Sequence, residues 1–335
     1  MIDLHSHRPI GSTHLRFGPL GLGTAPLGNL YARVSDDDAD ATLSAALGHG
    51  ICWFDVAPYY GFGLAEQRLG RFLRSSPRAP VLISTKVGRR LSHGTTVPSH
   101  DHFVAPLPYT PIFDYSREGI ERSHDDSLRR LRVDRVQLLL LHDIDRSHHP
   151  IGHRALITEL LDETLPTMHR LKTEGRVDAI GLGINEWDVG YEILASAEVD
   201  CVLLAGRYTL LDHTALSSGF IDSCRRRGVS VLAAGILNSG FLAGGSRYEY
   251  RRAGTSLLRR RRALAEICGR YHVPLAAAAL QFSLAHPAIT SVVVGARAAQ
   301  EVNELVEWTH TTIPQAFWQE LRLAKLILPD CPTPH

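Results

Sequence analysis

The 335-residue sequence is poor in lysine and methionine, has no closely spaced cysteine pair and carries almost no net charge. Each scarcity removes a class of function. The five cysteines, Cys52, Cys201, Cys224, Cys268 and Cys331, are odd in number and far apart, so neither a disulfide framework nor a thiolate metal site is expected. With 36 Lys plus Arg against 35 Asp plus Glu the formal charge is +1, too little for a broad field that would gather a phosphate backbone or anionic lipid. Neither nucleic acid nor a membrane surface is an expected partner. No apolar run approaches the roughly 20 residues that cross a bilayer, and the opening MIDLHSHRPIG lacks the apolar centre of a signal peptide, so the expected location is the cytoplasm. Only Lys86, Lys172 and Lys325 occur, and a lysine at a special position then calls for a chemical reason.

Periodicity supplies what composition does not. Short β-branched or aliphatic runs at 20–24, 52–57, 81–86, 136–142, 179–184, 201–205, 229–233 and 290–294 read as strands. Amphipathic stretches at 36–48, 64–73, 117–131, 156–174, 188–197, 216–227, 258–272, 275–286 and 298–308 read as helices, the first capped by Ser35 ahead of three aspartates. Runs such as Leu138-Leu139-Leu140-Leu141 and Val292-Val293-Val294 are apolar throughout, which indicates a sheet covered on both faces. Eight such strands alternating with helices predict an α/β protein of the closed (β/α)8, or TIM-barrel, class, with residues 1–335 as a single domain. A doubly wound sheet would bring a Gly-x-Gly-x-x-Gly turn after its first strand, and Gly18, Gly21, Gly23 and Gly28 do not have that spacing. Two connections, 88–116 and 238–255, follow strands three and seven and are too long for simple turns. Long loops at strand C-termini are where barrel enzymes carry their lids and binding segments.

Three consecutive strands end in polar side chains that folding alone does not require: Asp55 in CWFDVAPYYG, Lys86 in VLISTKVG and His142 in LLLLHDID. Neighbouring strands lie about 4.8 Å apart, so the three can meet at one rim, with Tyr59 and Tyr60 just beyond Asp55. A phenol, with a reference pKa of about 10, needs a nearby cation to act as acid or base near neutrality. Lys86 can supply it, Asp55 can hold the ammonium, and His142 can orient a substrate oxygen. The plainer reading makes Asp55 a turn cap, Lys86 a solvent-seeking side chain and His142 a core histidine. It requires three coincidences at adjacent strand ends.

These residues, together with IGLGIN at 180–185 and VVVGAR at 292–297, resemble the aldo-keto reductases over nearly the whole chain. The resemblance implies a barrel oxidoreductase that moves hydride between a nicotinamide cofactor and a carbonyl or alcohol carbon. It implies Tyr60 as general acid/base, Lys86 as the neighbour that lowers its pKa, Asp55 as the partner of Lys86, and His142 as the substrate-orienting residue. The stretches GLGTAPLGNLY, FDYSREGIERSHDDSLRRL and LQFSLAHPAITSVVVGA are similar to a narrower branch, the aldose (D-threo-aldose and L-fucose) and pyridoxal 4-dehydrogenase-like members. That branch implies oxidation of an aldose to its lactone, with pyridoxal oxidation or general aldehyde reduction as the alternative and a small sugar or aldehyde as substrate.

The same resemblance assigns cofactor contacts to Asn185, to Gly235, Leu237 and Ser239 after strand seven, and to Gly295, Arg297 and Glu301 around the last strand's end. It also shows departures. The family's Ser-Asn pair is Ile184-Asn185, the usual glutamine of strand six falls at Ala205, and the stacking tyrosine falls near Ala234, leaving Arg207 or Tyr208 to contribute. A carboxylate at 301 repels a 2′-phosphate and accepts from ribose hydroxyls, so NAD is expected over NADP, although Arg297 could pair with that phosphate. A competing reading starts from Asp3-Leu4-His5-Ser6-His7, which looks like the His-x-His of metal-dependent barrel hydrolases. Further ligands are missing at the ends of strands six and eight, and no metal is expected.

Overall fold

The computed structural model describes residues 2–76, 80–97 and 99–334. Eight parallel strands close into a barrel in chain order: β1 (Leu20–Gly23), β2 (Trp53–Asp55), β3 (Leu82–Val87), β4 (Leu138–His142), β5 (Ala179–Ile184), β6 (Cys201–Ala205), β7 (Ser230–Ala234) and β8 (Ile289–Gly295). The circle closes where β8 pairs with β1. Each strand overlaps a segment expected from the sequence. Parallel neighbours need a crossover, and helices such as α1 (Asp36–Gly48), α2 (Leu64–Ser75) and α3 (Arg117–Leu131) supply it on the outside. Ser35 caps α1 by accepting from the Asp38 amide at 3.0 Å, and Ser116 caps α3 in the same way from Gly119 at 3.1 Å.

The differences from the sequence reading are local. The stretch 156–174 is not one regular helix but α4 (His153–Glu159), a π-turn (Leu160–Thr164) and α5 (Leu165–Thr173). Pro166 explains it, because it has no N–H for the carbonyl four residues back and its ring would crowd that carbonyl. The connection 88–116 is built rather than loose: Arg89–His93 pairs with Tyr109–Phe113, and Ser99–His100 pairs with Phe103–Val104. Arg247–Tyr248 and Arg251–Arg252 form a small hairpin inside 238–255, and a further helix, Gln315–Leu323, lies beyond the expected elements. No helix among the described residues is long and apolar enough to cross a membrane.

Alternation along the strands separates two apolar layers. One lies between strands and helices; the other fills the barrel with Trp53, Leu138, Leu140, Leu203, Leu232 and Val293. An N-terminal hairpin, Arg8–Pro9 with Arg16–Phe17, adds Ile10, Leu15 and Phe17 to that inner layer. Phe17 stacks on Trp53 with ring centres 4.2 Å apart. The indole fits only because Gly21 lacks a side chain, since a Cβ there would lie 2.3 Å from the Trp53 ring. The hairpin therefore seals the end where the strands begin. The inward-facing side chains turn polar at the opposite end, at Asp55, Lys86 and His142.

Candidate functional site

The period-2 alternation of β3 sends Ser84 and Lys86 into the barrel and Thr85 outward, where its hydroxyl donates to Glu66 of α2 at 2.9 Å. Inside, Lys86 Nζ donates to Asp55 Oδ2 at 2.7 Å, to the Val56 carbonyl at 3.0 Å and to the Tyr60 hydroxyl at 3.1 Å. All three ammonium protons are thereby engaged. The other Asp55 oxygen accepts from Ser84 Oγ at 2.8 Å, and Ser84 Oγ in turn accepts from Trp53 Nε1 at 2.9 Å. A buried ion pair is tolerable when its remaining hydrogen-bonding capacity is satisfied in this way. Tyr60 is seated by a backbone contact that only glycines allow: Gly61 has φ +64°, and a Cβ on it would lie 2.4 Å from the Gly28 carbonyl oxygen.

His142 faces Tyr60 edge-on with ring centres 6.3 Å apart, and its Nδ1 is buried without a hydrogen-bond partner. Burial, reinforced by the Lys86 and Arg89 cations, holds its imidazole well below the ordinary histidine range, so the ring is neutral at physiological pH. Burial also drives the Tyr60 phenol well above its usual value, and the Asp55 and Asp143 carboxylates add to the rise while Arg89 opposes it. The sequence reading expects a phenol lowered by Lys86. In the free protein the direction is upward, because desolvation dominates and the neighbouring carboxylates reinforce it. Tyr59 is differently placed: its hydroxyl donates to Asp101 at 3.0 Å and its ring carries the Arg89 guanidinium at 3.9 Å.

Across the mouth, the side chains singled out on β5 to β8 are occupied by one another. Asn185 Nδ2 donates to Asp145 at 2.8 Å, and Asp145 also accepts the Asn185 and Glu186 amides. Arg207 donates to the Asn185 carbonyl at 2.7 Å and pairs with Asp212 and Glu249. Glu301 accepts from the Arg297 amide at 2.8 Å and from its guanidinium at 2.7 Å. Gly235 has φ +62°, Leu237 is half-buried, and Ser239 Oγ accepts from the Tyr250 amide at 3.0 Å. Gly295, at the end of β8, is exposed.

Over residues 19–325 the sequence matches the model of the aldo/keto reductase family. The chain belongs to that family. It is 41% identical to a pyridoxal 4-dehydrogenase of Microbacterium luteolum, covering 96% of this chain and 97% of the relative. It is 36% identical to a D-threo-aldose 1-dehydrogenase of a Pseudomonas species, covering 94% and 95%. Among solved structures, the holo form of an aldo-keto reductase from Bacillus halodurans superposes with a TM-score of 0.74 at 25% identity, covering 96% of each chain. This aldo/keto reductase is accordingly an oxidoreductase that works with a nicotinamide cofactor.

The β7 loop fits such a cofactor on one structural ground: Asn238 is 3% exposed, and neither its Nδ2 nor its Oδ1 has a partner. A buried amide left unsatisfied beside Gly235 and Ser239 suits a polar ligand at that loop. The metal-hydrolase reading loses its geometry. His5 and His7 are exposed on the segment that leads into the sealing hairpin, where Arg8 donates to the Ile289 carbonyl at the start of β8, at the end of the barrel opposite Lys86. Three potential ligands do converge at Asp143, Asp145 and His148. Their carboxylates are already engaged, Asp143 beside Arg89 and Asp145 by Asn185. Four mouth residues escape the sequence reading: Arg89, Asp101, Asp143 and Tyr250. Asp143 directly follows the end of β4 and Arg89 lies two residues past the end of β3, positions that could have drawn attention to them. Tyr250 stacks on His102 at 6.0 Å, so it joins the two long loops above the mouth in a way that no local pattern announces.

Proposed function

We propose that this aldo/keto reductase oxidises the cyclic hemiacetal of a small polar substrate to its lactone, an aldose of the L-fucose or D-threo type being the leading class. The observation that carries the reading is the Lys86 ammonium bridging Asp55 and the Tyr60 hydroxyl inside a buried barrel end. In this role Tyr60 is the acid/base, Lys86 and Asp55 hold its hydroxyl and set its proton affinity, and neutral His142 donates to the substrate oxygen. The hydroxyl proton goes to the Tyr60 oxygen in oxidation and returns from it in reduction. The bound nicotinamide supplies hydride transfer at its C4. Gly235, Leu237, Ser239 and Gly295 would hold the cofactor's phosphates and ribose, and Asn185 would receive its amide through Oδ1, since Nδ2 is given to Asp145. NAD is the preferred form in this reading, because Glu301 neutralises Arg297 and leaves no uncommitted cation at that helix start.

Pyridoxal is the second reading. It is favoured by the 41% identical relative, and pyridoxal also closes to an internal hemiacetal. Nothing in either reading calls for a nucleic-acid or membrane partner. A panel of aldoses, pyridoxal and simple aliphatic aldehydes, assayed with both cofactors by nicotinamide absorbance, is the test. Oxidation of a hemiacetal faster than turnover of any aliphatic aldehyde is expected. Turnover of aliphatic aldehydes alone would replace the reading with general aldehyde reduction.

A further inference from the structure

Arg89 is 9% exposed, and its Nε–H is buried without an aligned hydrogen bond to a described residue. Its Nε lies 2.8 Å from Asp143 Oδ2 with the N–H not directed at the carboxylate, so the contact is an ion pair without a hydrogen bond. Its planar group lies 3.9 Å from the Tyr59 ring centre and 4.6 Å from that of Phe113. Stacking of this kind fixes the plane while leaving the edges, with their N–H donors, free. A buried N–H left without an aligned acceptor is costly unless something else satisfies it. The location says what. Asp143 adjoins His142 in sequence, with Asp143 Oδ1 3.5 Å from His142 Nε2, and the Arg89 charge reaches both His142 and Tyr60. The guanidinium therefore borders the space where the reacting carbon must sit. Gly88 makes this placement possible: its φ is +101°, and a Cβ there would lie 2.5 Å from the Tyr115 ring.

We propose that Arg89, paired with Asp143, determines substrate specificity by gripping a second substrate oxygen one or two carbons from the reacting carbon. This deepens the hemiacetal reading and rests on it. Arg89 donates to that oxygen and its hydroxyl donates a hydrogen bond to Asp143, so one hydroxyl is read in both senses. Because the two charges compensate, the pair suits a neutral hydroxyl better than a carboxylate or phosphate, which would leave Asp143 facing a like charge. The substrate class is a hydroxylated ring, and an analogue lacking that hydroxyl leaves the pair unsatisfied.

The test compares an aldose with its 2-deoxy and 3-deoxy counterparts, as kcat/KM ratios, in the parent enzyme and in Arg89→Lys, which keeps a charge for Asp143 but loses the planar fork. The parent should favour the fully hydroxylated sugar over one deoxy form by about ten- to a hundredfold, the range expected when a charged hydrogen-bonding group is left unpaired. In Arg89→Lys the ratio should fall to within about threefold, mainly through KM. Arg89→Met/Asp143→Asn, which removes both charges, must show the same collapse and serves if the single variant does not fold. A parent that treats the sugars alike, or a variant that keeps the discrimination, overturns the role of Arg89 and leaves the hemiacetal reading standing. A parent inactive on every hemiacetal overturns both.

Discussion

The two halves of the barrel mouth are built on different plans. At the ends of β2 and β3, Asp55, Ser84, Lys86 and Tyr60 form one hydrogen-bonded chain in which the acid/base hydroxyl already meets the ammonium that sets its proton affinity. At the ends of β5 to β8, Asn185 is held by Asp145, Arg207 by Glu249 and Asp212, and Arg297 by Glu301. The first half is preorganised, so its chemistry needs no rearrangement when substrate arrives. The second half has to exchange internal partners for ligand partners, so part of the gross binding energy is spent on that exchange. Substitutions within the Asp55–Lys86–Tyr60 chain should consequently act on turnover, and those at the ends of β5 to β8 on affinity.

The sharpest break is Lys86→Met. It removes the cation beside the Tyr60 hydroxyl and leaves Asp55, 3% exposed, with Ser84 as its remaining donor. Activity should be nearly abolished. Stability should fall by about 3–5 kcal/mol, the usual consequence of stranding one member of a buried pair. Residual oxidation should shift to still higher pH, because loss of a cation disfavours the phenolate. Adding Asp55→Asn should restore the melting temperature without restoring turnover. A single variant with the parent's pH profile and melting temperature would show that the ion pair is neither chemically nor structurally engaged.

Next in size is Tyr60→Phe, which should lower turnover at least about 10²-fold while cofactor dissociation constants stay near the parent's. Tyr59→Phe, whose hydroxyl donates to the half-exposed Asp101, should stay within about tenfold. The parent's pH profile adds a signed test. With the Tyr60 pKa raised well above its usual value, the phenolate is scarce at neutrality, so oxidation should climb steadily with pH. His142, depressed well below the histidine range, is already neutral there and should add no break above about pH 6.5. Tyr60→Phe should flatten the climb. Reversed effects at the two tyrosines would mean that Tyr59 carries the proton.

The same division governs what the sequence discloses. Asp55 and His142 each close an apolar run and Lys86 lies near the end of a β-branched one, and those runs fix the strands, their inward faces and their open ends, so the meeting of the three is legible in the one-dimensional pattern. The barrel is legible for the same reason. Arg89 meets Asp143 through a hairpin whose strands, RRLSH and YTPIF, are short, lack a clean apolar alternation, hold Pro111 and pair across a long insertion. No local periodicity encodes such a contact. The contact between Glu301 and Arg297 is local by contrast. On a helix start, residues four apart are neighbours, and Glu301 reaches back to the Arg297 amide instead of standing alone.

That pair gives the smallest and most discriminating expectation for the affinity half. In the free protein the Glu301–Arg297 contact is a half-exposed pair, of the kind worth about 1 kcal/mol or less. Glu301→Gln keeps the side-chain length and an amide oxygen for the Arg297 backbone N–H, but releases the guanidinium from its counter-charge. If this helix start borders the adenosine ribose, the freed Arg297 gains a phosphate partner only with NADP. NADP should therefore bind about three- to tenfold more tightly, while NAD changes by less than about twofold. The melting temperature should move little, since the cap is retained. Arg297→Ala should move NADP in the opposite direction and leave NAD unaffected. Dissociation constants for both cofactors, measured by fluorescence quenching on the parent and the two variants, decide the matter. A parallel shift of NAD and NADP would place the pair away from the 2′ position and reduce Glu301 to a helix cap.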